Sequence, residues 1–225
     1  MITFIRHGES IANILKKKDD YIKRKIYDIN TIEYEKKQNI YNRLFDSFLS
    51  NNGIIECIKN KKITKSTILV SPLIRTLLTA FLMFDISNKF IIVEDFKEKY
   101  YTNDLLENYE FTHDEKKNDI KDNLKLYNID INNIDIFFDN FIIEPCKNTY
   151  FDHDEYKNIN INHKYDINIK KIYYINRLNE IIKKYNINTD IYIITHWGVI
   201  SAIFNTNNIN NLDEYIYTHC SLNKI

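Results

Sequence analysis

Three short segments of the sequence combine the residue types that bind and attack an anion. They are Arg6 to Gly8, Ser71 to Arg75 and Thr195 to Gly198, which together hold two arginines and two histidines. Two guanidinium groups can hold the oxygens of a phosphate. One neutral imidazole can attack phosphorus, and a second can donate a hydrogen bond to the phosphate oxygens. The segments therefore predict a phosphate site with a histidine nucleophile.

Each of these segments lies at the end of an apolar run that predicts a buried strand, or on the helix just after it. The predicted strands are Ile2 to Ile5, Ser66 to Val70 and Asp190 to Thr195, with a fourth at Phe90 to Val93. Strands that alternate with helices predict a largely parallel sheet. The carboxyl ends of parallel strands meet at one edge, where ligands bind, and helix N-termini add free N–H groups there. We therefore expect the three segments to form one pocket.

Helical patterns complete the predicted fold, which is of the α/β class. The predicted helices run through Leu15 after the first segment, over Glu33 to Leu49, over Leu73 to Phe84, over Ile169 to Tyr185, and through Phe204 after the last segment. Helices on both faces of a mostly parallel central sheet make a three-layer α/β/α domain. The region from about Lys97 to Asp166 has weak periodicity and many Asn, Asp and Lys residues. We predict that it is an insertion over the C-terminal strand ends, part helical and part loop, within a single domain spanning residues 1–225.

Composition narrows the functional class. The chain has 225 residues, of which 44% are hydrophobic, and a formal net charge of zero at pH 7. This balance argues against a protein that binds nucleic acid or a membrane surface through bulk charge. Cys57, Cys146 and Cys220 are odd in number and far apart, which favours a reducing, cytoplasmic compartment. We see no signal peptide and no transmembrane pattern.

The segment from Phe4 to Ser10 resembles the signature of the histidine phosphatase superfamily, also called the phosphoglycerate mutase-like family. Ser71 to Arg75, followed by Thr79 and Ala80, resembles the second arginine motif of that family, and Thr195 to Ile200 resembles its second histidine motif. Three motifs in order at compatible spacing are a specific signal. Weaker similarity is present at Asp28, at Gln38 and over His219 to Leu222.

The resemblance implies a role for each motif residue. His7 would be the nucleophile that becomes phosphohistidine, and His196 would assist it. Asn13 stands where the family carries a phosphate-contacting Asn, although a polar position on the first helix is the alternative. The residues expected to bind the phosphate are Arg6, Asn13, Arg75, His196 and Gly198.

The leaving oxygen also needs a proton donor. In one branch of the family an Asp directly after the second histidine supplies the proton, but here Trp197 follows. The resemblance therefore implies the branch that uses a Glu of the insertion in a Leu-x-Glu setting. Glu107 is the match and is the expected general acid, with Asp104 and Glu110 as alternatives. A phosphate beside this carboxyl group would raise its pKa and keep it protonated.

The function expected from these residues is hydrolysis of a phosphate monoester, on a small molecule or a phosphoprotein, without a metal or another cofactor. A mutase of the family would need arginines from the insertion, and none occurs between Arg75 and Arg177. The other alternative is an inactive module that only binds a phosphorylated ligand. The sequence sets neither the substrate nor the oligomeric state.

Overall fold

The computed structural model describes residues 1–15, 46–97, 113–145, 163–206 and 208–217. Their strands form one sheet in the order β4-β3-β2-β5-β1-β6. The strands are β1 (Ile2–Arg6), β2 (Thr67–Val70), β3 (Lys89–Val93), β4 (Ile142–Glu144), β5 (Ile191–Thr195) and β6 (Glu214–Tyr217). Neighbouring strands are parallel except β6, which runs antiparallel to β1. The predicted mostly parallel sheet is confirmed.

Helices cover both faces of this sheet. They are α1 (Asn51–Lys59), α2 (Ile74–Met83), α3 (His113–Leu126), α4 (Ile134–Asp139), α5 (His163–Lys184) and α6 (Trp197–Phe204). Residues 11–15 are also helical, and Glu94–Phe96 form a 3₁₀ turn after β3. No helix among the described residues is long and apolar enough to cross a bilayer.

The side chains of the strands alternate between two apolar cores, as a pleated sheet requires. In β2, Ile68 and Val70 pack in the core that α1, α2, α3 and α4 cover, whereas Leu69 packs in the core that α5 and α6 cover. In β1, Ile5 belongs to the first core and Phe4 to the second. Because both faces are covered, the domain has three layers, as predicted.

Most predicted elements are present within a residue or two, and the end of one differs from the prediction. The four predicted strands correspond to β1, β2, β3 and β5, and the helix predicted after the second segment is α2. The helix predicted over Glu33 to Leu49 lies mainly outside the described residues, and residues 46–50 are not helical. The next helix is α1, which begins with Asn51 and Asn52 followed by Gly53. Asn and Gly are typical of turns, so the sequence pattern does not mark this helix.

The predicted insertion is part helical, as expected, and it also supplies a strand that was not predicted. Residues 113–145 provide α3 and α4 on one face of the sheet and β4 at its edge, parallel to β3. Helix α5 begins at His163, before the predicted end of the insertion. Residues 98–112 and 146–162 lie outside the described part of the chain. The boundaries of the insertion therefore stay a prediction.

Candidate active site

The sheet order brings the three sequence segments together. Strands β2, β5 and β1 are neighbours, with Arg6 opposite Thr195 and Val70 opposite Ile194. The backbone N–H of His7 donates to the Thr195 carbonyl at 3.0 Å, and the N–H of Ser71 donates to the Ile194 carbonyl at 3.0 Å. All three segments therefore leave the sheet at one level, at the carboxyl edge where a ligand site is expected.

Two hydrogen bonds fix the tautomer of His7. Its Nδ1 lies 2.7 Å from the carbonyl oxygen of Gly8, which can only accept, so Nδ1 carries the proton. Its Nε2 lies 3.3 Å from Nε of Arg75, which can only donate, so Nε2 carries the lone pair. The geometry thus gives one ring nitrogen the proton and leaves the other nucleophilic.

The surroundings of His7 also keep its ring neutral. Only 2% of the residue is exposed. Burial lowers the pKa of His7 well below 6.5, and the charges of Arg75 and Arg6 lower it further, against the opposing effect of the Gly8 carbonyl. Because an imidazole must be unprotonated to attack phosphorus, this environment leaves His7 chemically able to act as a nucleophile at neutral pH.

His196 faces His7 from the end of β5. Their ring centroids are 5.2 Å apart at an interplanar angle of 59°. His196 is the N-cap residue of α6, and its Nε2 lies 2.8 Å from Oγ of Ser71. Burial, followed by the charges of Arg75, His7 and Arg6, lowers the pKa of His196 well below 6.5. Two neutral imidazoles therefore lie side by side in a positive electrostatic environment.

The two arginines are held in different ways. Arg75 is the second residue of α2 and is 2% exposed, so its guanidinium group is inside the protein beside His7. Arg6 ends β1 and is half-buried, and its Nη1 donates to the carbonyl of Ile209 at 2.9 Å. The charges of both arginines act on the two histidines. Such a pair of guanidinium groups suits a phosphate dianion.

Thr79 connects the first two segments. Its Oγ1 accepts from the backbone N–H of Gly8 at 3.0 Å and donates to the carbonyl of Arg75 at 2.7 Å. A Cβ on Gly8 would come within 2.9 Å of Cys57 Sγ and 3.2 Å of the Gly53 carbonyl. The chain after His7 therefore packs closely against both α1 and α2, and a side chain at position 8 would push it away.

Gly53 allows α1 to rest directly on the backbone that follows His7. A Cβ at this position would lie 2.1 Å from the carbonyl oxygen of Glu9, a backbone atom that cannot move aside alone. Ser50, the N-cap of α1, donates its N–H to the Glu9 carbonyl at 2.8 Å and its hydroxyl to Glu9 Oε2 at 3.0 Å. This contact explains a glycine at a position where a helix would otherwise favour alanine.

The remaining predicted site residues have different outcomes. Asn13 is half-buried, and its Oδ1 accepts from the N–H and hydroxyl of Ser10 at 3.0 Å each, in a capping arrangement. Its contact with phosphate stays a prediction. Gly198 lies in the first turn of α6, and a Cβ there would meet no heavy atom within 4 Å. Glu107 and its alternatives, Asp104 and Glu110, lie outside the described residues.

A second buried polar cluster, called the brace below, lies at the ends of β3 and β4. Arg177 of α5 donates to Asp95 Oδ2 at 2.6 Å and to Glu144 Oε1 at 2.9 Å. Tyr173 donates to the other oxygen of Asp95. Against the effect of burial, hydrogen bonds from Lys184, Tyr185 and Arg177 lower the pKa of Glu144 to about 2. The brace anchors α5 to the ends of β3 and β4.

The group of Arg6, His7, Arg75 and His196 is called the pocket below. Several residues around it were not assigned a role from the sequence. Ser71 and Thr79 lie inside the motifs, yet only the structure shows which groups they bind. Asp46 and Lys116, which contact the start of α2, lie far from it in sequence and belong to no pattern. The part of the chain that the structure describes contains no group of three or more His, Cys, Asp or Glu side chains placed to hold a metal ion.

No family model matches the chain, and no curated protein matches it by sequence. Among solved structures, it is similar to a phosphoserine phosphatase from Entamoeba histolytica in complex with 3-phosphoglyceric acid, with 19% identity, a TM-score of 0.43, and coverage of 95% of this chain and 87% of the other. It is also similar to the ecdysone phosphate phosphatase from Bombix mori in complex with tungstate, with 12% identity, a TM-score of 0.44, and coverage of 96% and 82%.

Proposed function

We propose that this chain is a phosphatase of the histidine phosphatase superfamily, which hydrolyses a phosphate monoester through a phosphohistidine on His7. The observation that carries the proposal is the state of the His7 ring, with its proton on Nδ1 and its lone pair on Nε2 beside Arg75. The lowered pKa of His7 keeps that lone pair available at neutral pH. A histidine that only filled a core would not need a buried guanidinium group against its nucleophilic nitrogen.

The first chemical step transfers the phosphoryl group to the protein. Arg6, Arg75 and His196 bind the phosphoryl oxygens, and Nε2 of His7 attacks phosphorus opposite the leaving oxygen. The N–H of Arg75 and the phosphorus atom compete for the lone pair on Nε2 of His7. For this attack, Arg75 must therefore move its N–H from the imidazole to a phosphoryl oxygen. As the P–O bond breaks, Glu107 gives its proton to the leaving oxygen, which departs as an alcohol.

The second step returns the protein to its starting state. Water attacks the phosphorus of phosphohistidine, and Glu107, now a carboxylate, accepts a proton from that water. The P–N bond breaks, inorganic phosphate forms, and His7 regains its neutral ring. The Gly8 carbonyl accepts a hydrogen bond from Nδ1 in both steps. The imidazole ring, which is positively charged in the phosphorylated form, therefore keeps its orientation.

The proposal includes several properties that the sequence supports. Hydrolysis is favoured over mutase chemistry because the sequence has no arginine between Arg75 and Arg177 to bind a second anionic group of a substrate. We also propose that a single domain with an insertion over about residues 97–166 acts on a small phosphorylated molecule or a phosphoprotein. Its cationic pocket replaces a divalent ion. The few, scattered cysteines support a cytoplasmic location.

The test is release of free phosphate from a panel of substrates, comprising sugar phosphates, phosphoamino acids, phosphopeptides and an aryl phosphate, all in the presence of EDTA. We expect turnover of at least one class, and none by a His7→Ala preparation purified in the same way. Loss of activity in EDTA that returns with zinc or magnesium would contradict the mechanism. Transfer between two hydroxyl groups without release of phosphate would instead support a mutase.

A further inference from the structure

The loop of residues 71–75, called the arginine loop below, carries Arg75 into the first turn of α2. Leu73 is the N-cap residue of α2, and its side chain makes no capping hydrogen bond. The cap comes from a distant segment, because Oδ1 of Asp46 accepts from the backbone N–H of Ile74 at 2.5 Å. A buried carboxylate therefore binds the backbone of Ile74, the residue that precedes the arginine that we assign to phosphate binding.

Lys116 binds both this carboxylate and the arginine loop. Its Nζ lies 2.9 Å from Oδ2 of Asp46 and donates to the carbonyl of Pro72 at 2.6 Å. The side chains of Lys116 and Asp46 are 10% and 2% exposed. Burial lowers the pKa of Lys116, and Asp46 acts in the opposite direction. Lys116 lies in the first turn of α3, within the region from 97 to 166.

We propose that Lys116 is a positioning residue of the phosphate pocket. Its ammonium group fixes the Pro72 carbonyl and neutralises Asp46, and the arginine loop then presents Arg75 to an anion. This inference rests on the proposed function and deepens it. It also connects the pocket to the region from 97 to 166, since the placement of α3 sets the geometry of phosphate binding.

Because Lys116 and Asp46 carry opposite charges, replacing each of them should change phosphate binding in a different way. Without the ammonium group of Lys116, the carboxylate of Asp46 stays near Arg75 and repels a phosphate dianion, an effect that is strong where water is excluded. With Asn in place of Asp46, the amide oxygen still caps α2, whereas the lysine adds its positive charge to the pocket. A pair with a merely structural role would lose stability in both variants and would change phosphate binding in neither.

The experiment measures binding of inorganic phosphate to the full chain by calorimetry, and the kcat and KM of the best ester, in Lys116→Met and Asp46→Asn. Lys121→Met is the matched control, because Lys121 also belongs to α3 and its Nζ binds both oxygens of Asp135 at 2.7 Å. Its side chain is 23% exposed, and it ties α3 to α4 rather than to the arginine loop. Thermal unfolding of each variant measures the structural contribution separately.

We expect Lys116→Met to weaken phosphate binding about tenfold and to raise KM more than it lowers kcat. Lys121→Met should bind within about twofold of wild type, and Asp46→Asn should bind phosphate at least as tightly as wild type. Lys116→Arg, which keeps the charge, should recover most of the affinity that Lys116→Met loses.

Equal phosphate binding by Lys116→Met and Lys121→Met, in a chain that hydrolyses esters, would overturn this inference alone. If Lys116→Met does not fold, Asp46→Asn decides, because a tenfold loss of affinity in that variant contradicts the charge argument. If wild type neither binds phosphate nor hydrolyses any ester, the proposed function fails, and this inference fails with it.

Discussion

Two buried arginines lie at the same edge of the sheet, and their neighbours differ. Arg75 is 2% exposed and donates to the neutral imidazole of His7, whereas Arg177 is 3% exposed and donates to the carboxylates of Asp95 and Glu144. In the brace, the positive charge helps to lower the pKa of a carboxyl group. In the pocket, the positive charge lowers the pKa of two histidines.

This difference shows that the neighbours of a buried arginine decide whether it can bind an anion or instead stabilises the fold. An arginine whose charge is balanced by two carboxylates attracts a further anion only weakly. Its removal leaves buried carboxylates without a compensating positive charge. An arginine beside neutral imidazoles keeps a positive potential where a phosphate can bind. We therefore expect substitutions in the pocket to affect turnover and substitutions in the brace to affect stability.

The largest effect should come from His7→Ala, which removes the nucleophile from the pocket. We expect turnover to fall by at least about 10⁴-fold, because no neighbouring side chain can take the in-line position. Binding of inorganic phosphate should persist, since Arg6, Arg75 and His196 remain. With labelled substrate and alkaline denaturation, wild type should retain label and the variant should not. A variant that kept a large share of wild-type turnover would refute the assignment of His7.

The proposed proton donor should give the next largest effect, and one that depends on the leaving group. Glu107→Gln keeps the size of the side chain and removes its proton. We expect a loss of about 10²–10³-fold on alkyl esters, whose leaving oxygen needs protonation, and a much smaller loss on an activated aryl ester. Matched variants of Asp104 and Glu110 serve as controls. An equal loss on both ester types would assign the acid to another residue.

A direct test of the comparison sets Arg75→Lys against Arg177→Met. Lysine at position 75 keeps the positive charge but cannot donate to two phosphate oxygens at once, as a guanidinium group does. We therefore expect kcat/KM to fall about 10²-fold with a small change in thermal midpoint. Arg177→Met should lower the free energy of unfolding by about 3 kcal/mol, because Asp95 and Glu144 lose a buried partner. Its kcat per folded molecule should change little. The same ratio of activity loss to stability loss in the two variants would contradict the distinction between an arginine that binds phosphate and one that stabilises the fold.

The most gradual effects should appear in the pH dependence of stability, in two separate windows. The folded pKa values of His7 and His196 are below 6.5, so the unfolded chain binds protons first and stability falls as pH drops below 6.5. Each histidine contributes a slope of up to about 1.4 kcal/mol per pH unit. Glu144 adds stability that is complete above 4.5 and is lost as pH falls toward about 2. Denaturant unfolding at several pH values should show a shallower first window in His7→Asn and a smaller second window in Glu144→Gln.

The parts of the fold that sequence predicted well are those set by short apolar runs. Strands β1, β2, β3 and β5 and helix α2 follow from local hydrophobic patterns, and the parallel order follows from their alternation with helices. The meeting of His7, Arg75 and His196 follows from the same reasoning, because strand ends in a parallel sheet converge.

The parts that sequence could not predict depend on contacts between distant residues. Helix α1 needs Gly53 against the Glu9 backbone, although Asn-Asn-Gly is typical of a turn. Strand β4 has three residues and gains its place by pairing with β3. Asp46 caps a helix that begins 28 residues later, so no local pattern marks it. Such contacts carry no periodicity, and only the assembled structure shows them.

The position of β1 between β5 and β6 has a consequence for how the protein matures. The strand that leads to His7 is far in sequence from both strands that pair with it, since β5 begins at Ile191 and β6 at Glu214. During synthesis, β1 stays without these partners until residues 191–217 have left the ribosome. Pairings that are this distant in sequence form slowly, and an apolar strand that waits for them is prone to aggregate. Strand β1 and His7 should therefore be among the last parts of the protein to reach their native positions. Phosphatase activity should then appear only when folding is complete.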